Sequence, residues 1–149
     1  GDVIGPLMFT HTASYQSYIA ANNMFSRSKI KPSYQVIPRC VFLEPEVASV
    51  GISEVEAIEK GFKIKKGMAA IASLGRANTD NTLDGFVKVI TKTDGTLLGA
   101  SIVSPRAGEM IHELALAMQL KAKASDVAAM VHAYPTYSEA VKYACVNIE

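Results

Sequence analysis

Apolar residues recur along this chain in two rhythms, and each predicts a different kind of element. Over residues 10–25, Ala13, Ile19, Ala20, Met24 and Phe25 return with helical spacing, which predicts an amphipathic helix. After the basic stretch 26–33, with Arg27, Lys29 and Lys31, the rhythm shortens, and β-branched residues on either side of Glu44-Pro45-Glu46 predict strands at 40–42 and 48–50. Ser53-x-x-Glu56 is a capping box that opens a short helix, Val55 and Ile58 give it an apolar stripe, and Gly61 closes it. Residues 62–72 read as a strand, and the polar stretch 74–84 as an irregular loop. Residues 85–91 and 96–103 read as a hairpin turned by Asp94-Gly95 in the type I′ form. Gly99 inside its second strand predicts a bulge or a close backbone approach.

Helical spacing then returns and persists. Pro105 opens a helix over 106–121, with Ile111, Leu114, Ala115 and Met118 on one face and Met110, Ala117 and Leu120 widening it. An apolar arc that wide predicts burial on two sides, one of them against a second subunit. Ser125 is expected to cap a short helix to about residue 130, and a last helix is expected over 136–147. Hairpin-linked strands followed by segregated helices give an α+β fold: a mostly antiparallel sheet backed by helices, preceded by a short helical segment. The polar stretch at 26–33 marks the division, with 1–33 as one piece and 34–149 as the domain.

Bulk composition narrows the function classes. Of 149 residues, 49% are hydrophobic and 19% charged, so the chain should fold rather than remain disordered. A net charge of +1 gives no footing for nucleic acid, and no apolar run is long enough to cross a bilayer, so neither partner is expected. The two cysteines, Cys40 and Cys145, are far apart and fit a reducing, cytoplasmic compartment. The start at Gly1, with no initiator Met or signal-like segment, leads us to expect part of something longer.

The chemistry is concentrated in His132-Ala133-Tyr134-Pro135-Thr136-Tyr137-Ser138-Glu139. Thr136 and Glu139 make a second capping box, which accounts for those two residues but not for His132 or Tyr134. No Gly-x-Gly-x-x-Gly, Cys-x-x-Cys or phosphate loop is present, and the three histidines lack metal-ligand spacing. Residue types alone leave a soluble α+β module with one polar cluster, and no metal site is expected.

Several separated stretches share one register with a known family. Gly1-Asp2-Val3 with Phe9, Thr10, His11 and Ala13, Pro45-Glu46-Val47-Ala48-Ser49-Val50-Gly51, Gly85-Phe86-Val87-Lys88, Leu98-Gly99-Ala100 and His132-Ala133-Tyr134-Pro135-Thr136-x-Ser138-Glu139 resemble the C-terminal part of the pyridine nucleotide-disulfide oxidoreductases. This group includes dihydrolipoamide dehydrogenase, glutathione reductase and mercuric reductase. The resemblance implies an interface (dimerisation) domain preceded by the end of an FAD-binding domain. It implies a homodimer in which each subunit lends its C-terminal element, with Tyr134, Glu139 and His132 as catalytic candidates, to the other's active site. Asp2 would hydrogen-bond the flavin ribityl chain, and the backbone at Thr10, at a helix N-terminus, would face the isoalloxazine. Electrons would pass from NAD(P)H through FAD to a disulfide or a metal ion. The parts that bind FAD and NAD(P)H and carry the redox cysteine pair are absent, so this chain alone is expected to be inactive.

One departure affects the chemistry. Where the disulfide-reducing branches place a histidine base immediately before Pro-Thr, oriented by a glutamate five residues on, this chain has Tyr134, with Glu139 kept. A free phenol titrates at about 10 and is no substitute for imidazole as a base at neutral pH. The mercuric reductase group, which carries a tyrosine in this region, is the better likeness. The alternative is a stand-alone interaction module using the same fold without redox activity.

Overall fold

The first 37 residues and the remainder form separate units in the computed structural model, which describes residues 1–149. The first unit holds a 3-10 turn at Asp2–Ile4 and helix α1 (Thr10–Phe25), which lies where the spacing over 10–25 predicts it, but of the expected apolar face only Ile19 is buried, and Met24 and Phe25 are exposed. The chain after α1 folds back on it: Tyr15 Oη accepts the Ser33 N–H at 3.0 Å, and the Tyr15 and Tyr34 rings meet edge to face.

The second unit is a five-stranded antiparallel sheet of order β1-β2-β5-β4-β3, from β1 (Arg39–Val41), β2 (Glu46–Gly51), β3 (Ile64–Ala70), β4 (Phe86–Lys92) and β5 (Leu97–Ser104). Two helices cover one face. α4 (Ala107–Gln119) lies over β2, β5 and β1, and α6 (Glu139–Val146) lies over β3 and β4 with α5 (Ala124–Ala129) beside it. Alternate strand residues Ala48, Val50, Val87, Val89 and Ile102 are buried against Ile111 and Leu114 of α4 and Val141 and Ala144 of α6, making one core. Full burial of each Val, Ile or Leu side chain in this set stabilises by about 1.5–3 kcal/mol. The Glu46 carboxylate of β2 accepts the Gly108 N–H at 2.8 Å, an acidic group placed where the start of α4 favours it.

The capping box is formed as predicted: Ser53 Oγ accepts the Glu56 N–H at 3.2 Å, Glu56 Oε2 accepts the Ser53 N–H at 2.7 Å, and α2 spans Glu54–Glu59 with Gly61 at φ +77° just beyond it. Its expected apolar stripe is not buried, because Val55 and Ile58 face outward and Ala57 packs inward. The expected loop 74–84 contains α3 (Gly75–Asp80), and the hairpin turn differs in type. Asp94 keeps a negative φ and only Gly95 is left-handed, at +86°, while the Gly95 N–H reaches Lys92 O at 3.0 Å. That is a three-residue loop with a glycine bulge rather than type I′. Gly99 meets both expectations. The register slips between Ile90 and Thr91, and a Cβ on Gly99 would lie 2.0 Å from the Ile52 carbonyl oxygen. Ser125 does not cap α5; the Asp126 carboxylate takes the Lys123 N–H at 2.7 Å and starts the helix earlier.

Glu54 bridges two strands, with Lys66 Nζ of β3 at 2.7 Å and Lys88 Nζ of β4 at 2.8 Å. Those hydrogen bonds hold its carboxyl down at about 2 rather than 4.5. A depressed carboxyl stabilises the fold above its unfolded value and ceases to do so as pH falls through its folded value. Glu54→Gln should therefore be less stable than wild type at neutral pH, by a small amount because the bridge is solvated. Acid denaturant titrations should show the difference closing between about pH 4.5 and about pH 2. A difference independent of pH would assign the loss to packing.

Candidate functional site

The segment linking α5 to α6 is pinned from several directions. His132 buries its ring, with 3% of the side chain exposed; Nε2 lies 2.7 Å from Glu113 Oε1 of α4 and Nδ1 lies 3.2 Å from Met130 O. Neither ring nitrogen is turned toward solvent, so His132 fastens the segment to α4. Thr136 Oγ1 donates to Ala133 O at 2.7 Å and closes the turn.

Glu139 is 8% exposed. Its Oε2 accepts the Thr136 N–H at 3.1 Å, and its Oε1 receives the Tyr143 hydroxyl at 3.4 Å. This is half of the predicted capping box. The carboxylate reaches back to Thr136, but the threonine hydroxyl is turned to Ala133. The last helix accordingly begins at Glu139 rather than Thr136. Both carboxylate oxygens are engaged by the turn and by α6, and Glu139 makes no hydrogen bond to Tyr134.

Tyr134 stands apart from these anchors. It is 78% exposed and makes no hydrogen bond within the chain. Its ring edge rests on the start of α3, where a Cβ on Gly75 would lie 3.0 Å from the tyrosine hydroxyl. A buried, hydrogen-bonded base thus presents a single phenol outward. His132, Glu139 and Tyr134 belong to one turn without forming a hydrogen-bonded triad.

The structure adds residues that sequence reasoning missed. Tyr137 is buried, and its hydroxyl donates to Asp80 Oδ2 at 3.1 Å and also meets the Thr82 hydroxyl. Asp80 in turn holds Arg76 Nε at 2.7 Å, and that bond, with the nearby Arg106 charge contributing, lowers its carboxyl below the usual range. Glu113 was likewise unmarked. A glutamate on a helix carries no sequence sign that its partner lies in a loop 19 residues on.

In the first unit, Asp2 opens the 3-10 turn with an exposed side chain, and Gly1 beside it lies against Ala13 of α1. α1 starts at Thr10, and no side chain caps its N-terminus. Thr12 Oγ1 and Gln16 Oε1, one turn apart, are buried without hydrogen-bond partners. Of the cysteines, Cys145 is buried within α6, and desolvation, with Glu113 adding, pushes its thiol up to about 12; Cys40 is raised by the same causes, with Glu46 and Glu109 as the charges. Both are poor nucleophiles at neutral pH. No group of side chains is arranged to hold a metal ion, and no helix is long and apolar enough to cross a membrane.

Comparison with known proteins bears on the whole arrangement. Residues 37–145 match the family described as pyridine nucleotide-disulphide oxidoreductase, dimerisation domain. The chain is 40% identical over 149 residues to a dihydrolipoyl dehydrogenase of Haloferax volcanii, covering 99% of this chain and 31% of that one. It is 39% identical over 145 residues to a dihydrolipoyl dehydrogenase of Chlorobaculum parvum, covering 97% of this chain and 31% of that one. Among solved structures it superposes on the HOCl-induced flavoprotein disulfide reductase RclA from Escherichia coli with a TM-score of 0.92 at 26% identity, covering 98% of this chain and 34% of that one. LpdA from Mycobacterium tuberculosis shares the fold, with a TM-score of 0.87 at 24% identity over 95% of this chain and 31% of that one. The chain thus spans about a third of the length of the relatives it matches.

Proposed function

The chain belongs to the pyridine nucleotide-disulphide oxidoreductase family through its dimerisation domain, and from that premise we propose that it pairs with a second copy and lends the Tyr134 turn to an active site completed by that copy. One observation carries the reading: Tyr134 is 78% exposed on a turn whose neighbours His132, Tyr137 and Glu139 are all fixed inward. A rigid base under a solvated phenol has no use within one copy, and it suits presentation to another surface. Exposed apolar residues accompany it in the same unit: Val131 three residues before it, Leu116 on α4 and Leu120 just after α4, the last two 59% and 70% exposed.

In the whole protein, residues 1–33 would close an FAD-binding domain, and the first unit fits that role. A helix start at Thr10 with no side-chain cap and the exposed Asp2 carboxylate are groups that a polar cofactor edge can satisfy. A flavin, when bound, supplies the electron relay from NAD(P)H. This chain's own part is a hydrogen-bond donor, Tyr134, at the acceptor end, held in place by Glu139 and His132. A donor stabilises a developing thiolate or orients a bound acceptor; it does not remove a thiol proton. Acceptors that need no histidine base, the mercuric ion among them, therefore suit the site better than the lipoamide disulfide.

Sedimentation at micromolar concentration should find the chain dimeric, and Leu120→Glu should shift it to monomer by placing a charge on the α4 face. A wild-type monomer would count against the lending of Tyr134.

A further inference from the structure

Behind the Tyr134 turn lies an open cleft of about 230 Å³ lined by Arg76, Arg106, Pro135, Thr136 and Tyr137. Tyr134 does not line it but adjoins it: Tyr134 precedes the lining residue Pro135, and a Cβ on Gly75, the neighbour of Arg76, would lie 3.0 Å from the tyrosine hydroxyl.

The hydrogen-bond inventory of this cleft calls for an anion. Tyr137 directs its proton to Asp80, and Thr136 directs its own to Ala133 O, so neither hydroxyl offers a donor to a ligand. Arg76 uses Nε on Asp80 at 2.7 Å, which orients the guanidinium and leaves its terminal N–H groups without a partner in the chain. Arg106, at the start of α4, makes no side-chain hydrogen bond and stands close enough to Asp80 to help lower its carboxyl. Two guanidinium groups against one carboxylate leave a net charge of one, which a monoanion balances. A planar carboxylate matches the guanidinium fork, whereas a phosphate brings nearly two charges. Pro135 supplies the apolar wall for the carbon to which the carboxylate is attached. The volume is below the roughly 300 Å³ at which whole-ligand pockets begin, so the cleft holds the head of a molecule whose remainder lies outside it.

We propose that this cleft is a carboxylate subsite, through which the site takes electron acceptors carrying a carboxylate and directs their reducible end past Tyr134. The assignment of an acceptor rests on the reading of Tyr134 given above; the anion site itself does not.

The two parts are tested separately. In the 149-residue chain, benzoate should shift the arginine side-chain N–H resonances of Arg76 and Arg106 saturably, and benzamide should not. Arg106→Gln should weaken benzoate binding about tenfold, the loss of one charge-assisted pair. No saturable shift, an unaltered affinity in Arg106→Gln, or binding of inorganic phosphate without benzoate would overturn the subsite. In the flavin-loaded full-length enzyme, wild type should prefer an aromatic disulfide bearing carboxylates over its amide analogue in kcat/KM, and Arg106→Gln should reduce that preference about tenfold. Benzoate binding with an unchanged preference would overturn the acceptor assignment and leave the anion site. Benzoate binding with acceptor turnover indifferent to Tyr134→Phe would overturn the reading of Tyr134 instead.

Discussion

Gly67→Ala should destabilise the second unit by about 3 kcal/mol, the upper part of the range for forcing an extra carbon into a packed interface. A Cβ built on Gly67 falls 2.0 Å from the Ala144 carbonyl oxygen and 2.8 Å from Ile148 Cγ1. The first of these is backbone in the last turn of α6, so no side-chain rotation relieves it; the helix or strand β3 must move. Neighbouring bonds resist that movement. Asn147 Nδ2 donates to Met68 O at 3.0 Å, and the Lys66 and Glu149 backbones exchange hydrogen bonds at 3.0 and 3.1 Å. Chemical unfolding of the two proteins gives the measurement. A loss below about 0.5 kcal/mol, the range of an ordinary surface change, would mean that α6 does not sit on β3 as described. Gly61→Ala provides the comparison. Nothing lies within 4 Å of its Cβ, so only the left-handed φ of +77° is penalised, at about 1–2 kcal/mol.

The effect should travel beyond stability. α6 begins at Glu139, the residue that holds the Thr136 backbone, and Tyr134 is two residues before Thr136. Displacing α6 from β3 therefore loosens the turn from below. The sheet, its covering helices and the Tyr134 turn form one mechanical path.

That path explains which parts of the chain were legible in sequence. β4 and β5 are legible as two apolar runs around the Asp94-Gly95 turn, although their burial breaks alternation at Val89-Ile90-Thr91 and at Gly99-Ala100, and α4 follows helical spacing, where the pattern and the buried face are the same thing. The box at Ser53 and Glu56 is a local device, so four residues suffice to specify it. α3 was invisible for the opposite reason. Leu74 just before it and Ala77 within it are its buried apolar residues, and its turns are held by polar side chains: Asn78 Nδ2 to Leu74 O at 2.8 Å, Thr79 Oγ1 to Gly75 O at 3.0 Å, and Arg76 to Asp80. Such residues read as loop when no tertiary contact is in view. The site divides in the same way. Tyr134 and Glu139 are neighbours in sequence and were marked there. Glu113 meets His132, and Arg76 meets Arg106, only after the sheet and α4 are assembled.

In the flavin-loaded full-length enzyme, Tyr134→Phe should lower turnover on the natural acceptor about ten- to a hundredfold, with reduction of the flavin by NAD(P)H proceeding as in wild type. The substitution removes one oxygen and keeps the ring. That oxygen makes no hydrogen bond within the chain, so neither the turn nor α6 loses a bond when it is removed. What is lost is a donor to whatever faces it, and a hydrogen bond to a charged partner such as a thiolate is worth about 1.5–3 kcal/mol. Glu139→Gln separates presentation from chemistry. It keeps an acceptor for the Thr136 N–H but removes the charge, so an orienting role through the backbone predicts a much smaller loss than Tyr134→Phe. A role for Glu139 as direct partner of the reacting group predicts an equal or greater one. The engagement of both its oxygens by Thr136 and Tyr143 favours the first result. Stopped-flow measurement of the two half-reactions decides it, and acceptor kinetics unchanged in Tyr134→Phe would reassign the tyrosine to packing against a partner surface.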